Sequence, residues 1–280
     1  MEGVYKTRRE CMVDQNVVLR RTEFVGRYLK RLTAQGIELL DLNMIEPFYS
    51  EDKIYQPSNI VFERNHEMQA IRSDWTRSIL NYKNLYNLLS NQFGYFGPVI
   101  RNNQTVYQAG VELFDATEAE IIESITDHLD FIKKENNGSA HLIIVNDVEL
   151  IDLYLEKYQL DDPALKESIF DKNFSSLAES VGKDHPLYKV MTIPVSQQYA
   201  LVEQELKETK QMQFLQKLKE ALQAYNLKFI LDLSFRSPQS YYDGVYCQVF
   251  LDKNLPVLTG GQYDKTAFGL AINLTDGGIF

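Results

Sequence analysis

The sequence predicts an α+β protein: an antiparallel sheet flanked by helices, with a helical module inserted between sheet strands. Three patterns predict it. Apolar residues recur at three- and four-residue steps near the N-terminus and again after residue 117, they alternate strictly in the last third, and a charged helical stretch lies between.

From Asn16 to Leu32 the residues Val17, Val18, Phe24, Val25, Tyr28, Leu29 and Leu32 mark one face of an amphipathic helix, and Gly36 stops it. Thr117 and Glu120 form a capping-box pair that opens a second helix, with Ile121, Ile122, Ile125, Leu129 and Ile132 on one face. That helix is expected to end near Asn136-Asn137-Gly138. Between Asp147 and Tyr225 the chain is charged and helical, and Phe214, Leu215, Leu218, Leu222 and Tyr225 form its clearest apolar stripe. Leu227, Phe229, Leu231, Leu233 and Phe235 then alternate with more polar neighbours; Val245 to Leu251 and Phe268 to Leu274 repeat the two-residue period of strands. Asp243-Gly244 and Asp252-Lys253-Asn254 read as turns, so the last strands are expected to be antiparallel neighbours. The expected organisation is core in 1–146, helical insertion in 147–226 and the last core strands in 227–280.

With 280 residues, 44% of them hydrophobic, the chain can fold as one large domain or as one domain carrying an insertion. Its 29 Lys+Arg against 39 Asp+Glu give a formal charge of -10, and an acidic surface repels a phosphate backbone, which counts against a tRNA partner. Cys11 and Cys247 stand in no metal or redox spacing, and His66, His128, His141 and His185 are scattered, so neither a metal site nor a cofactor is expected. The first 21 residues lack the continuous apolar core of a signal peptide, and no run approaches the roughly eighteen apolar residues of a membrane span. A soluble cytoplasmic protein is the expectation.

Four segments in order resemble class II histidyl-tRNA synthetases and their non-charging paralogues. Ala70 to Thr76 resembles the strand L-R-P-E-x-T, whose acid and threonine hold the α-amino group of histidine in that family; the resemblance assigns those roles to Asp74 and Thr76. Phe93 to Glu112 resembles the motif 2 hairpin without a gap and places Gln108 and Glu112 in the amino-acid pocket. Tyr241-Tyr242-Asp243-Gly244-Val245 with Phe250 resembles the histidine-specific Y-Y-T-G-x-x-F piece, and Gly260-Gly261-Gln262-Tyr263-Asp264 resembles G-G-R-Y-D. Phe268 to Ile272 resembles the start of motif 3. The ligand pocket implied is Asp74, Thr76, Gln108, Glu112, Tyr241, Tyr242 and Tyr263.

The departures concern charge. Adenylate formation requires cations around the phosphates. Aligned with the family's phosphate-contacting arginine is Gly94, and Phe96 and Gly97 stand for its glutamate and second arginine. Asn102 and Gln104 replace two more arginines; Arg101 is displaced by one, which on a strand implies the other face. Thr275 and Asp276 occupy the place of the motif 3 arginine. Ser237 aligns with the arginine of the histidine-specific motif, Arg236 lies one residue away and Pro238 follows. Asn43 replaces the motif 1 proline although Glu46 is kept, and an anticodon-binding domain is not expected. Two readings of the pocket stand: relics now serving as satisfied buried polar groups, or a retained ligand site.

Among such paralogues the chain resembles ATP phosphoribosyltransferase regulatory subunits. That resemblance implies a non-catalytic subunit that activates a short-form catalytic partner in the first step of histidine biosynthesis and takes part in histidine feedback, as a self-dimer within a hetero-oligomer. The alternative is an atypical amino-acid-activating enzyme. Gly94 and Thr275 speak against it.

Overall fold

The computed structural model describes residues 15–48, 60–101, 103–136, 140–160, 162–275 and 279–280. Of the stripe that the periodicity marks, helix α1 (Gln15–Ala34) buries Phe24, Val25, Tyr28 and Leu32, while Val17 and Leu29 are half-buried and Val18 is exposed. Gly36 ends it at φ +81°, where the Ile37 amide closes on the Leu32 carbonyl at 3.0 Å. Strand β1 (Glu38–Leu40) follows, then β2 (Ile45–Pro47), β3 (Val61–Arg64) and β4 (Glu67–Ile71), which form a small sheet in the order β2-β4-β3. Helix α2 (Trp75–Tyr86) leads into the hairpin of β5 (Gln92–Arg101) and β6 (Gln104–Leu113). Helix α3 (Glu118–Asn136) starts at the predicted box: Thr117 Oγ1 accepts from the Glu120 amide at 3.3 Å, and Glu120 Oε2 accepts from the Thr117 amide at 2.8 Å. The Asn137-Gly138 part of its expected end lies outside the described residues.

Strand β7 (Leu142–Asp147) is followed by six helices: α4 (Val148–Lys157), α5 (Pro163–Phe170), α6 (Phe174–Val181), α7 (Pro186–Thr192), α8 (Val195–Leu206) and α9 (Lys210–Ala221). A short 3₁₀ turn, Leu222–Tyr225, then delivers β8 (Lys228–Leu231) parallel to β7. A parallel pair needs a long crossover, and the helices supply it. Strands β9 (Tyr242–Phe250), β10 (Leu258–Tyr263) and β11 (Ala267–Asn273) complete an eight-stranded sheet ordered β1-β5-β6-β11-β10-β9-β7-β8. Its six central strands are antiparallel, as expected, and each edge pair is parallel.

Two sequence expectations are corrected. Asp243-Gly244 is no turn but lies inside β9. The register with β10 jumps between Gly261–Tyr246 and Tyr263–Tyr242, leaving residues 243 to 245 opposite Gln262. The Gln262 side chain fills that bulge, accepting from the Val245 amide at 3.0 Å, and a Cβ on Gly244 would lie 2.6 Å from its Oε1. The alternation through Phe235 is not all strand either. Pairing stops at Leu231 because Asp232 folds the chain back, accepting the Ser234 amide at 2.9 Å.

Strand alternation divides the sheet into two faces. Ala109, Val111, Leu113, Phe268, Leu270, Ile272, Val245, Cys247 and Val249 face the large core under α1, α3 and the helical segment. On the opposite face a smaller cluster of Trp75, Ile79, Phe93, Tyr95 and Val99 packs beneath α2. Beside it the polar residues of β6, β9, β10 and β11 line a cavity.

Candidate ligand pocket

The cavity measures about 270 Å³, close to the lower end of the ~300–1,000 Å³ usual for small-molecule sites. Asp74, Thr76, Gln108, Glu112, Tyr241 and Tyr242 line it. Tyr263 stands behind Glu112 and donates to its Oε2 at 2.8 Å. The structure therefore gathers all seven residues singled out in the sequence around one space.

The segment from Ala70 to Thr76 is not one strand. Pairing ends at Ile71, and Asp74 is the N-cap of α2, accepting from the Arg77 amide at 3.2 Å. A cap is fixed in direction, so Asp74 and Thr76 are held on the first turn of a packed helix. Asp74 accepts three more hydrogen bonds: from Tyr241 at 3.1 Å on Oδ1, and from Arg101 Nη2 at 3.1 Å and Gln239 at 3.3 Å on Oδ2.

Glu112 is 1% exposed. Thr76 donates to its Oε1 at 2.8 Å, matching the Tyr263 contact on Oε2. Burial pushes its carboxyl up to about 8; the two hydrogen bonds oppose this, and the charge of Asp74 adds to it. Opposite Glu112 in the register stands Gly269, where a Cβ would lie 2.4 Å from Oε2, so only glycine leaves the carboxyl its place. Burial, reinforced by the nearby carboxylates, raises Tyr241, Tyr242 and Tyr263 and keeps their phenols neutral.

The hairpin parity changes how the departures from the family are read. Gly94 and Phe96 sit on the core face: a Cβ on Gly94 would lie 2.6 Å from Leu32 Cδ1, and Phe96 stacks on Tyr107. No side chain at either position reaches the cavity. Gly97 does face it, but a Cβ there would lie 2.8 Å from Cζ2 of Trp75, whose ring fills the space. Arg101, expected on the far face, instead lines the cavity: its Nε donates to the Ser73 carbonyl at 2.8 Å beside the Asp74 contact. The β5–β6 register is unbroken, so Arg101 shares the face of Phe93, Tyr95 and Gly97, the side of Gln108 and Glu112, and strand parity itself brings it to the cavity. Arg236 points outward to Glu167 and Asp171. Thr275 Oγ1 accepts from the Tyr107 amide at 2.8 Å, whereas Asn102 and Asp276 lie outside the described residues. Among the described residues Arg101 is the only cation lining the cavity.

Sequence reasoning did not find Trp75, Tyr95, Gln239, Gln248, Thr259 or Asn273, which also line it. Stepping by two from Gln108 and across the hairpin register would have found Tyr95; Gln239 lies on an irregular segment and leaves no periodic signal. Among the described residues no group of three or more His, Cys, Asp or Glu could hold a metal ion, and no helix is long and apolar enough to cross a membrane.

A protein of Staphylococcus aureus strain MRSA252 named ATP phosphoribosyltransferase regulatory subunit is 27% identical over 270 residues, covering 94% of this chain and 98% of that one. Two solved structures share the fold. A Bacillus halodurans ATP phosphoribosyltransferase regulatory subunit/histidyl-tRNA synthetase superposes with TM-score 0.71 at 18% identity, over 93% of this chain and 76% of that one. A chain of the ATP phosphoribosyl transferase (HisG:HisZ) complex of Thermotoga maritima gives TM-score 0.71 at 17% identity, over 91% and 97%. The family model described as histidyl-tRNA synthetase matches residues 18–274, most of the length, and the chain belongs to that family.

Proposed function

We propose that this chain is a non-catalytic regulatory subunit that activates the short-form catalytic subunit of ATP phosphoribosyltransferase, the first step of histidine biosynthesis, and that its cavity is a histidine effector site. The observation that carries the reading is the cavity's composition. Acid, hydroxyl, amide and phenol groups suited to an amino acid surround it, while its one cation among the described residues is already engaged by Asp74. An adenylate-forming site offsets phosphate charge with several cations, and loss of one such group typically costs a few kcal/mol in the transition state. That deficit also argues against an amino-acid-activating enzyme. The correspondence with relatives named as the regulatory subunit, over 98% of their length, supports the choice of partner.

A second copy of the chain belongs to the same proposal. Around Asn43 and Glu46 a groove of about 770 Å³ is flanked by exposed Ile45, Leu85 and Tyr86, apolar surface of the kind that pairs protomers. The acidic charge fits a cytoplasmic subunit that does not bind tRNA.

The test is co-purification with the short-form catalytic subunit of the same organism, followed by assay of phosphoribosyl-ATP formation with and without this chain and with added histidine. A stable complex whose activity requires the chain is expected. Absence of both complex and activation would overturn the reading.

A further inference from the structure

Asp74 and Glu112 are the two acids of the cavity, and their hydrogen bonding differs. A carboxylate offers about four acceptor sites. Asp74 receives four donors, from the Arg77 amide, Tyr241, Arg101 and Gln239, which leaves no acceptor for a ligand ammonium. Glu112 receives two donors, from Thr76 and Tyr263, so in the ionised form that a neighbouring ligand cation favours it keeps about half a carboxylate's capacity.

Arg101 is the complement. A guanidinium carries five donors in a planar fork. Its Nε is spent on the Ser73 carbonyl and one Nη2 donor on Asp74, while the Nη1 end makes no hydrogen bond to the described residues. The fork is therefore anchored along one edge by the N-cap of a packed helix, and its terminal edge, two parallel N–H groups, is the geometry that receives a carboxylate bidentately. The cavity thus holds both a fixed cation and an under-saturated acid among apolar and polar walls.

We infer that Arg101 is the carboxylate anchor of this cavity: the ligand is a free α-amino acid whose carboxylate docks on Arg101 and whose cationic part meets Glu112, with Asp74 positioning Arg101 rather than receiving the ammonium. This rests on the effector-site reading above and reverses the role that the family resemblance assigns to Asp74.

Trp75, the chain's single tryptophan, lines the cavity and reports occupancy by fluorescence. The full chain is titrated with L-histidine, with L-histidine methyl ester and with histamine, which keeps the amine and imidazole but has no carboxylate. A charge-assisted bidentate contact predicts histidine binding at least about tenfold tighter than either analogue. In Arg101→Gln that preference disappears because histidine falls to the affinity of histamine, whose own affinity is unchanged, and Arg101→Lys restores part of the gap. Equal affinity of the wild-type chain for all three ligands overturns the inference, and so does an equal loss for all three in Arg101→Gln, which would mark a merely structural arginine. The wild-type comparison stands by itself if the variant does not fold. Failure of the wild-type chain to bind histidine overturns it as well, while activation of the catalytic subunit, measured separately, would leave the regulatory role in place.

Discussion

At Glu112 burial and hydrogen bonding act in opposite directions, and burial wins, holding the carboxyl near 8. The unfolded chain loses that proton near 4.5, so between about 4.5 and 8 the folded state binds more protons and its stability falls as pH rises. Glu112→Gln removes the cost of a buried charge. It should raise stability by about 1–3 kcal/mol at pH 8.5 and leave it nearly unchanged at pH 4, read from urea melts at both values. His128 has the opposite sign. Its Nδ1 faces the Ser124 carbonyl at 2.6 Å, which only accepts, so Nδ1 carries the proton and Nε2 accepts from the Tyr28 hydroxyl at 2.7 Å. Burial lowers its pKa to about 4, below the ordinary 6.5, so its contribution to stability is full above 6.5 and is lost as pH falls towards 4. Tyr28→Phe strands Nε2 without a donor and should cost about 1–3 kcal/mol near neutral pH in the same urea assay.

Among the elements, the β5–β6 hairpin and the first turn of α2 position the pocket together. Gly269→Ala on the neighbouring strand would set a Cβ 2.4 Å from Glu112 Oε2 and displace the carboxyl, so histidine binding should drop at least tenfold while the circular dichroism spectrum stays that of the wild type. Retained affinity would show that Glu112 does not need its place. The elements also mark how far the sequence could be read. The apolar stripe of α1, the Thr117–Glu120 box and the two-residue periods of β9 and β11 are local signals, and each is found where it was read. Glu112 and Gln108 were legible because a hairpin preserves spacing. Gly244 misled because a glycine that admits the Gln262 side chain leaves the same Asp-Gly signature as one that makes a turn. Arg101 and Gly94 both misled because only register, which the sequence does not encode locally, shows which face a residue occupies: it sets Arg101 on the side of Gln108 and Glu112, and Gly94 on the core side. Helix α2 escaped notice although Asp74 is a proper N-cap, since the resemblance had cast the segment as strand.

At the scale of the whole molecule, a single sheet separates a large apolar core from a polar cavity, and the helical segment that joins β7 to β8 closes the far edge without entering that cavity. In the dimer proposed above, the exposed Leu85 and Tyr86 at the end of α2 would meet the second copy. Leu85→Glu should convert a dimer to monomers in light scattering without loss of the folded signal, and an unchanged mass would remove that surface from the interface. Regulation requires that the two subunits stabilise each other's states, so the chain's effect must appear as a change in its partner's turnover. Phosphoribosyl-ATP formation by the short-form catalytic subunit, titrated with this chain, is therefore the decisive quantity: activity that rises and saturates as the complex forms is the expected result, and activity indifferent to the chain at every ratio would contradict it.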